Sequence, residues 1–166
     1  MTFAQIPAGA AVFFDANTLI YHFANDPKFG AACTQLVERI ERQQLSGFVS
    51  SDILSDVAHQ LMTLEAIDRF GWPLAGIAAR LRKQHTEIPK LNVHLQAIAR
   101  IPVLGIRVFD VTQPLIEAAT LFTGQHELLM GDAQVVAVMR ANGLTNLAST
   151  DTDFDRVRGL TRYAPV

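Results

Sequence analysis

Cysteine occurs once in this 166-residue chain, at Cys33, so no internal disulfide can form and a reducing compartment is the expected setting. No apolar run reaches the ~18 residues that would mark a membrane span. The opening stretch Met1–Phe14 also lacks the basic region of a signal peptide, so a cytoplasmic protein with no membrane partner is expected. Charge is sparse, at 18% of residues, and nearly balanced: 14 Lys+Arg stand against 16 Asp+Glu, for a net charge of −2. That overall field does not attract phosphate, so a nucleic-acid substrate would require locally clustered basic side chains. Low-complexity tracts and internal repeats are absent. No His/Cys set has zinc spacing, and neither GxSxG, Walker A nor GxGxxG occurs.

The chain does have apolar residues, 49% of the total, enough for one domain with a sizeable core. Short apolar runs alternate with helical periodicity. Strands are expected at Val12–Phe14, Gly47–Ser50, Gly105–Phe109 and Leu147–Ser149, with an edge strand in Thr161–Pro165. Helices are expected at Leu19–Phe23, at Lys28–Gln44, from Ser51-Asp52 through Leu64, at Leu74–Lys83, at Leu91–Ile101, from Pro114 through Phe122, and from Met130 to the Gly143 stop. Thr123–Leu128 reads as a loop. Strand then helix, four times over, predicts an α/β fold with a mainly parallel sheet. One domain spanning 1–166 is expected, with a helical elaboration at about 63–104.

Aspartates recur at the joints of this pattern. Asp15 ends the first strand, and Asp151 falls just past the fourth, with Asp153 behind it. In open α/β sheets, ligands bind beyond the carboxyl ends of strands. If these two strands are parallel neighbours, Asp15 and Asp151 converge, and converging carboxylates persist mainly around a hard cation or a proton. Asp132 follows Gly131 in the first turn of its helix, where the dipole favours negative charge, and it shares a face with Val136 and Met139. Asp56 lies inside a helix, where aspartate is a poor former. Asp52, Asp56 and His59 share one face of that helix. Such an oxygen set suits Mg²⁺ or Mn²⁺. Asp151-x-Asp153-x-Asp155 opens like a calcium loop, but the required Gly and Glu positions hold Arg156 and Arg162.

Four stretches together carry a resemblance: Phe13-Phe14-Asp15-Ala-Asn17-Thr18, Ser50-Ser51-Asp52-Ile-Leu-Ser-Asp56-Val, Gly131-Asp132-Ala-Gln and Ser149-Thr-Asp151-Thr-Asp153-Phe154. Their order and spacing resemble the acidic motifs of PIN-domain nucleases, in particular VapC-type toxins of bacterial toxin–antitoxin pairs. The resemblance implies a three-layer α/β/α sandwich and a metal-dependent endoribonuclease. It implies Asp15, Asp132 and Asp151 as Mg²⁺ or Mn²⁺ ligands, direct or through water, with Asp56 as the further catalytic acid. Asn17 would orient Asp15, and Ser149 and Asp153 would support the cluster. Asp56 stands where the family usually has glutamate and is one methylene shorter; Asp52 is a rival in a poorer register. The resemblance also implies RNA as substrate, a homodimer and a small antitoxin partner. Two alternatives are a PIN-like module that binds RNA or protein without cutting and a haloacid-dehalogenase-like phosphatase. For the latter, Asn17 stands where a second acid is required.

Overall fold

The structure is a computed structural model that describes every residue from Met1 to Val166. Five short strands form one parallel sheet: β1 (Ala11–Phe14), β2 (Ser46–Ser50), β3 (Arg107–Phe109), β4 (Asn146–Ala148) and β5 (Thr161–Tyr163), in the order β3-β2-β1-β4-β5. The strands are apolar because helices cover both faces of a parallel sheet. Val12, Phe13, Phe14, Val49, Leu147 and Ala148 are fully buried. Gly47 is needed where it lies: a Cβ there would meet Ile40 at 3.1 Å and Ile106 at 3.2 Å.

The connections are helical. Between β1 and β2 run α1 (Ala16–Phe23) and α2 (Gly30–Glu41). Between β2 and β3 run α3 (Ser51–Phe70), α4 (Ile77–Lys83) and α5 (Val93–Arg100). The return from β3 to β4 uses α6 (Gln113–His126) and α7 (Met130–Ala141), which pack closely on each other. The chain moves outward from β1 through β2 to β3, then returns across β1 to add β4 and β5. Right-handed crossovers therefore put α1–α5 on one face and α6–α7 on the other, giving the three layers that were expected. The direction of winding switches between β1 and β4, which pair in parallel with Phe13 opposite Leu147 and Phe14 opposite Ala148. A crevice forms at such a switch point, at the carboxyl ends of the strands.

Several boundaries differ from the sequence expectation, and three of them have plain physical reasons. The first helix begins at Ala16, not Leu19, because Asp15 caps it, its Oδ1 accepting from the Ala16 amide at 2.7 Å. The sixth helix runs through Thr123 and Gly124 to His126; Glu127, at φ +54°, ends it in place of the glycine. The third strand starts only at Arg107, because Gly105, at φ +76°, is still in the preceding turn. Most buried apolar side chains belong to one core of 34 residues. A separate small cluster of Ala66, Ile77, Leu81 and Leu91 holds the segment after α3 against the end of that helix.

Candidate active site

The β1–β4 crevice gathers residues that are far apart in the chain. β1 stays in the ladder one residue past its end: the Asp15 amide donates to the Ala148 carbonyl at 3.1 Å. The Asp15 side chain is thereby set beside the start of the loop after β4. Its Oδ2 accepts from Asn17 Nδ2 and from Ser149 Oγ, both at 2.5 Å. The buried Ser149 hydroxyl also accepts from Asn17 Nδ2 at 3.2 Å and from the Asp151 amide at 2.9 Å. Its one proton and both lone pairs are therefore committed. The Asn17 carbonyl oxygen accepts from the Thr150 amide at 3.2 Å, and Thr18 Oγ1 donates to the Ala148 carbonyl at 2.8 Å. These bonds tie the start of α1 to the loop after β4.

That loop turns into a short 3₁₀ helix, Thr152–Arg156, which Asp151 caps by accepting from the Asp153 amide at 2.8 Å. Capping aims Asp151 and Asp153 to the same side. Across the crevice, Asp132 lies in the first turn of α7, half-buried. One carboxylate oxygen from each of Asp132, Asp151 and Asp153 lies within 4.8 Å of the other two. Three acids so close carry a cost. Burial is the first cause raising the Asp132 carboxyl to about 6; Asp151, Asp15 and Asp153 add to it. Asp15 is raised too, by burial first and then by Asp151, against the lowering effect of its hydrogen bonds.

The donor set is all oxygen, with no His or Cys among the three, and it is strongly negative. That fits a hard divalent cation. Asp132, Asp151 and Asp153 are the residues that could hold it. Asp15 stands behind them with both oxygens engaged by the protein. The sequence reading put Asp153 in a supporting place, and the structure brings it into the triad, where it also pairs with Arg156.

Asp56 lies elsewhere. It is exposed on α3, and its carboxyl is raised by partial burial and by Asp52, against His59; it is not among the charges that reach Asp132. Asp52, on the same helix face, is the residue that touches α7: its Oδ2 accepts from Gln134 Nε2 at 2.8 Å. Sequence reasoning also missed two arginines. Arg156 donates to the Glu127 carbonyl at 2.9 Å while pairing with Asp153, so it ties the 3₁₀ turn to the chain entering α7. Arg162 donates to the Ser149 carbonyl at 3.2 Å and grips Asp155 with two bonds of 2.8 Å. That pair holds the Asp155 carboxyl below its usual range. The Asp153/Arg156 spacing of three was the one sequence signal available for either arginine.

A model of the PIN domain family matches residues 12–160. No curated protein sequence matches the chain. Among solved structures, VapC20 of Mycobacterium tuberculosis, described as a toxin that cleaves the sarcin–ricin loop, is 21% identical with a TM-score of 0.57, over 87% of this chain and 92% of that one. VapBC2 of Rickettsia felis, bound to a fragment of its promoter DNA, is 12% identical with a TM-score of 0.58, over 94% and 99% of the two chains. A toxin–antitoxin complex from Klebsiella pneumoniae is 16% identical with a TM-score of 0.53, over 90% and 95%.

Proposed function

This chain belongs to the PIN domain family, and from that premise we propose that it is a divalent-metal-dependent endoribonuclease, the toxin of a toxin–antitoxin pair. The observation that carries the reading is the carboxylate triad of Asp132, Asp151 and Asp153 at the winding switch of the sheet, with Asp132 raised to about 6. A repulsive cluster of this kind persists where it serves a cation. Mg²⁺ or Mn²⁺ held by the triad would supply charge stabilisation to a phosphodiester being hydrolysed.

The chain's own residues do the positioning. Asp15, fixed by Ala16, Asn17 and Ser149, adds negative charge behind the triad and keeps the loop after β4 closed on α1. Ser149 is fully buried and its oxygen already accepts from Asn17 and from the Asp151 amide, so it serves as a strut of the site and presents no free lone pair to a phosphate. Asp151 caps the turn that brings Asp153 forward. Gln134 and Asp52 link α7 to α3 and fix the direction of the first turn of α7. The substrate class, RNA, and the reaction, phosphodiester hydrolysis, follow the family. An antitoxin partner is supported by the toxin–antitoxin complex among the similar structures. A homodimer and a cytoplasmic setting complete the proposal; no helix is long and apolar enough to cross a membrane.

A second reading keeps the fold without the cutting: a PIN module that binds RNA or protein. Asp56 favours it, since the expected further acid stands exposed and outside the charges that reach Asp132. Thermal unfolding with and without Mn²⁺, followed by RNA cleavage, on wild type and Asp132→Asn, decides between them. A Tm rise with Mn²⁺ and Mn²⁺-dependent cleavage in wild type, both lost in Asp132→Asn, support the nuclease. Cleavage by Asp132→Asn at the wild-type rate would sink it. A wild type that neither gains Tm nor cuts RNA favours the binding module.

A further inference from the structure

The charges of this chain are segregated. Residues 69–107 hold seven of the 14 Lys+Arg and one of the 16 Asp+Glu, namely Glu87. The rest of the chain holds seven basic residues against fifteen acidic ones. A chain of net charge −2 thus consists of a strongly acidic body and a basic segment.

The basic side chains of that segment are mostly uncommitted. Arg69 pairs with Glu65, and Lys90 with Glu87. Arg80, Arg82, Lys83, Arg100 and Arg107 have no carboxylate within 4.0 Å and donate to no group of the protein. Three of these five fall in the last turn of α4. A helix carboxyl end favours a cation there, which does not explain an excess of seven to one across three helices. Arg80 and Lys83 also line a shallow concavity of about 360 Å³ with Ala79 and Gln84. The surface is fixed, not floating. Ile77 and Leu81 of α4 are buried against Ala66 and Leu91, Arg80 stacks over Trp72 at 5.7 Å, and Arg69 donates to the Lys90 carbonyl at 2.7 Å.

We propose that Arg80, Arg82 and Lys83 form a second contact surface for the phosphate backbone of a folded RNA, remote from the carboxylate triad. The proposal rests on the nuclease reading for the identity of the substrate, and on charge placement for the surface. The acidic crevice repels a polyanion. A cation there offsets that repulsion only locally, so attraction over longer range must come from elsewhere on the chain. The α4 surface is where the chain concentrates unpaired positive charge. α3 begins directly after β2, at the carboxyl edge of the sheet, and α4 packs on it at Ala66, about 22 Å along the helix from its start at Ser51. A dinucleotide cannot touch both places, whereas a folded RNA with an extended stem can. The surface therefore selects for substrate size and shape without reading sequence, as backbone contacts do.

The test uses the full chain with Mn²⁺, a fluorescein-labelled RNA hairpin whose stem is longer than α3, and a dinucleotide. Arg80→Gln/Arg82→Gln/Lys83→Gln is compared with wild type and with Lys28→Gln/Arg42→Gln, which removes two cations from the acidic body. The expected result for the triple variant is a KM for the hairpin raised about tenfold or more. The slope of log affinity against log salt should become shallower by about 2.7, as three lost phosphate contacts on a duplex stem require. Dinucleotide cleavage and Tm should stay at wild-type values, and the Lys28/Arg42 control should match wild type throughout. Unchanged hairpin KM and salt slope overturn the proposal. So does an equal loss on hairpin and dinucleotide, because the segment would then act through the fold or the triad. Anisotropy of the labelled hairpin separates this from the nuclease reading. Salt-dependent binding that the triple variant loses, in a protein that cuts neither RNA, removes the nuclease but keeps the surface.

Discussion

The carboxyl edge of the sheet and the segment between α3 and α5 hold their charges in opposite ways. At the sheet edge, Asp15, Asn17, Ser149 and Asp151 come from two ends of the chain and are joined by hydrogen bonds of 2.5–3.2 Å. Placement there is over-determined, and the like charges are held together against their repulsion. In the α4 segment Arg80, Arg82 and Lys83 come from one turn of helix, make no hydrogen bond or ion pair, and rest on a cluster of four buried residues. Pre-organisation of this kind suits a site that must hold a small ion at fixed distances. Loose, solvated cations suit a surface that meets a flexible polyanion through many weak contacts.

The sharpest way to break this contrast is at Asp132. Asp132→Asn should lower RNA cleavage by on the order of 10³-fold, comparable with removing one preorganised electrostatic group from an active site. In metal-free buffer near pH 8 its Tm should instead rise above wild type, by roughly 2–4 °C for each kcal/mol of repulsion relieved. A parallel loss of Tm and activity would mean that the residue is structural. Next come the two cores. Leu147→Ala, in the fully buried strand beneath the site, should cost about 2–5 kcal/mol in denaturant unfolding. Leu81→Ala in the four-residue cluster should cost less and leave dinucleotide cleavage intact. Equal costs would show that the segment and the body unfold as one unit.

Ser149→Ala tests the network more gently. It removes the donor to Asp15 and the acceptor of the Asp151 amide, so about 1–3 kcal/mol of stability should be lost. Mn²⁺ affinity, read from the Mn²⁺ dependence of Tm, should fall about tenfold. The smallest effect is in pH. The Asp132 carboxyl has a folded value of about 6 against 3.8 for the free group. Over that interval the folded chain holds a proton that the unfolded chain has released. Stability in metal-free buffer should therefore decline as pH rises from about 4 to about 6. Asp132→Asn should flatten this part of the profile, and Mn²⁺ should oppose the decline at higher pH, since metal and proton compete for the same oxygens.

How much of this was legible in the sequence depended on what each residue signals locally. The neighbouring of β1 and β4 stood only as a condition, which the pairing of Phe13 with Leu147 meets; the parallel sheet and the place of Asp132 in a first helical turn followed from apolar runs with acids at their ends. The start of α1 did not, because Ala16-Asn17-Thr18 shows no apolar period. Those residues are helical because their side chains bond across to Ser149, Thr150 and Ala148, which only the folded chain brings near. Asp153 looked secondary because spacing alone does not reveal the 3₁₀ turn that aims it beside Asp151. Asp56 drew attention because aspartate is a poor helix former, yet it stands exposed on α3, where such a residue needs no partner. The contact with α7 was made four residues earlier, by Asp52 through Gln134, a pairing between helices that no local pattern encodes. The basic segment was visible as composition, but which of its cations stay unpaired became clear only from the structure.

The burial of α7 also has a consequence in time. Five consecutive residues, Val135–Met139, are buried between the sheet and α6, so this helix has no solvent-facing strip along which to open. Its central amides can take up deuterium only when the whole body unfolds, and they should be among the slowest in the protein. Amides of α4, which rests on the small cluster, exchange through local opening and should be replaced far sooner. Asp132 is thus anchored to the slowest clock in the chain, while the surface proposed to greet the substrate keeps a faster one.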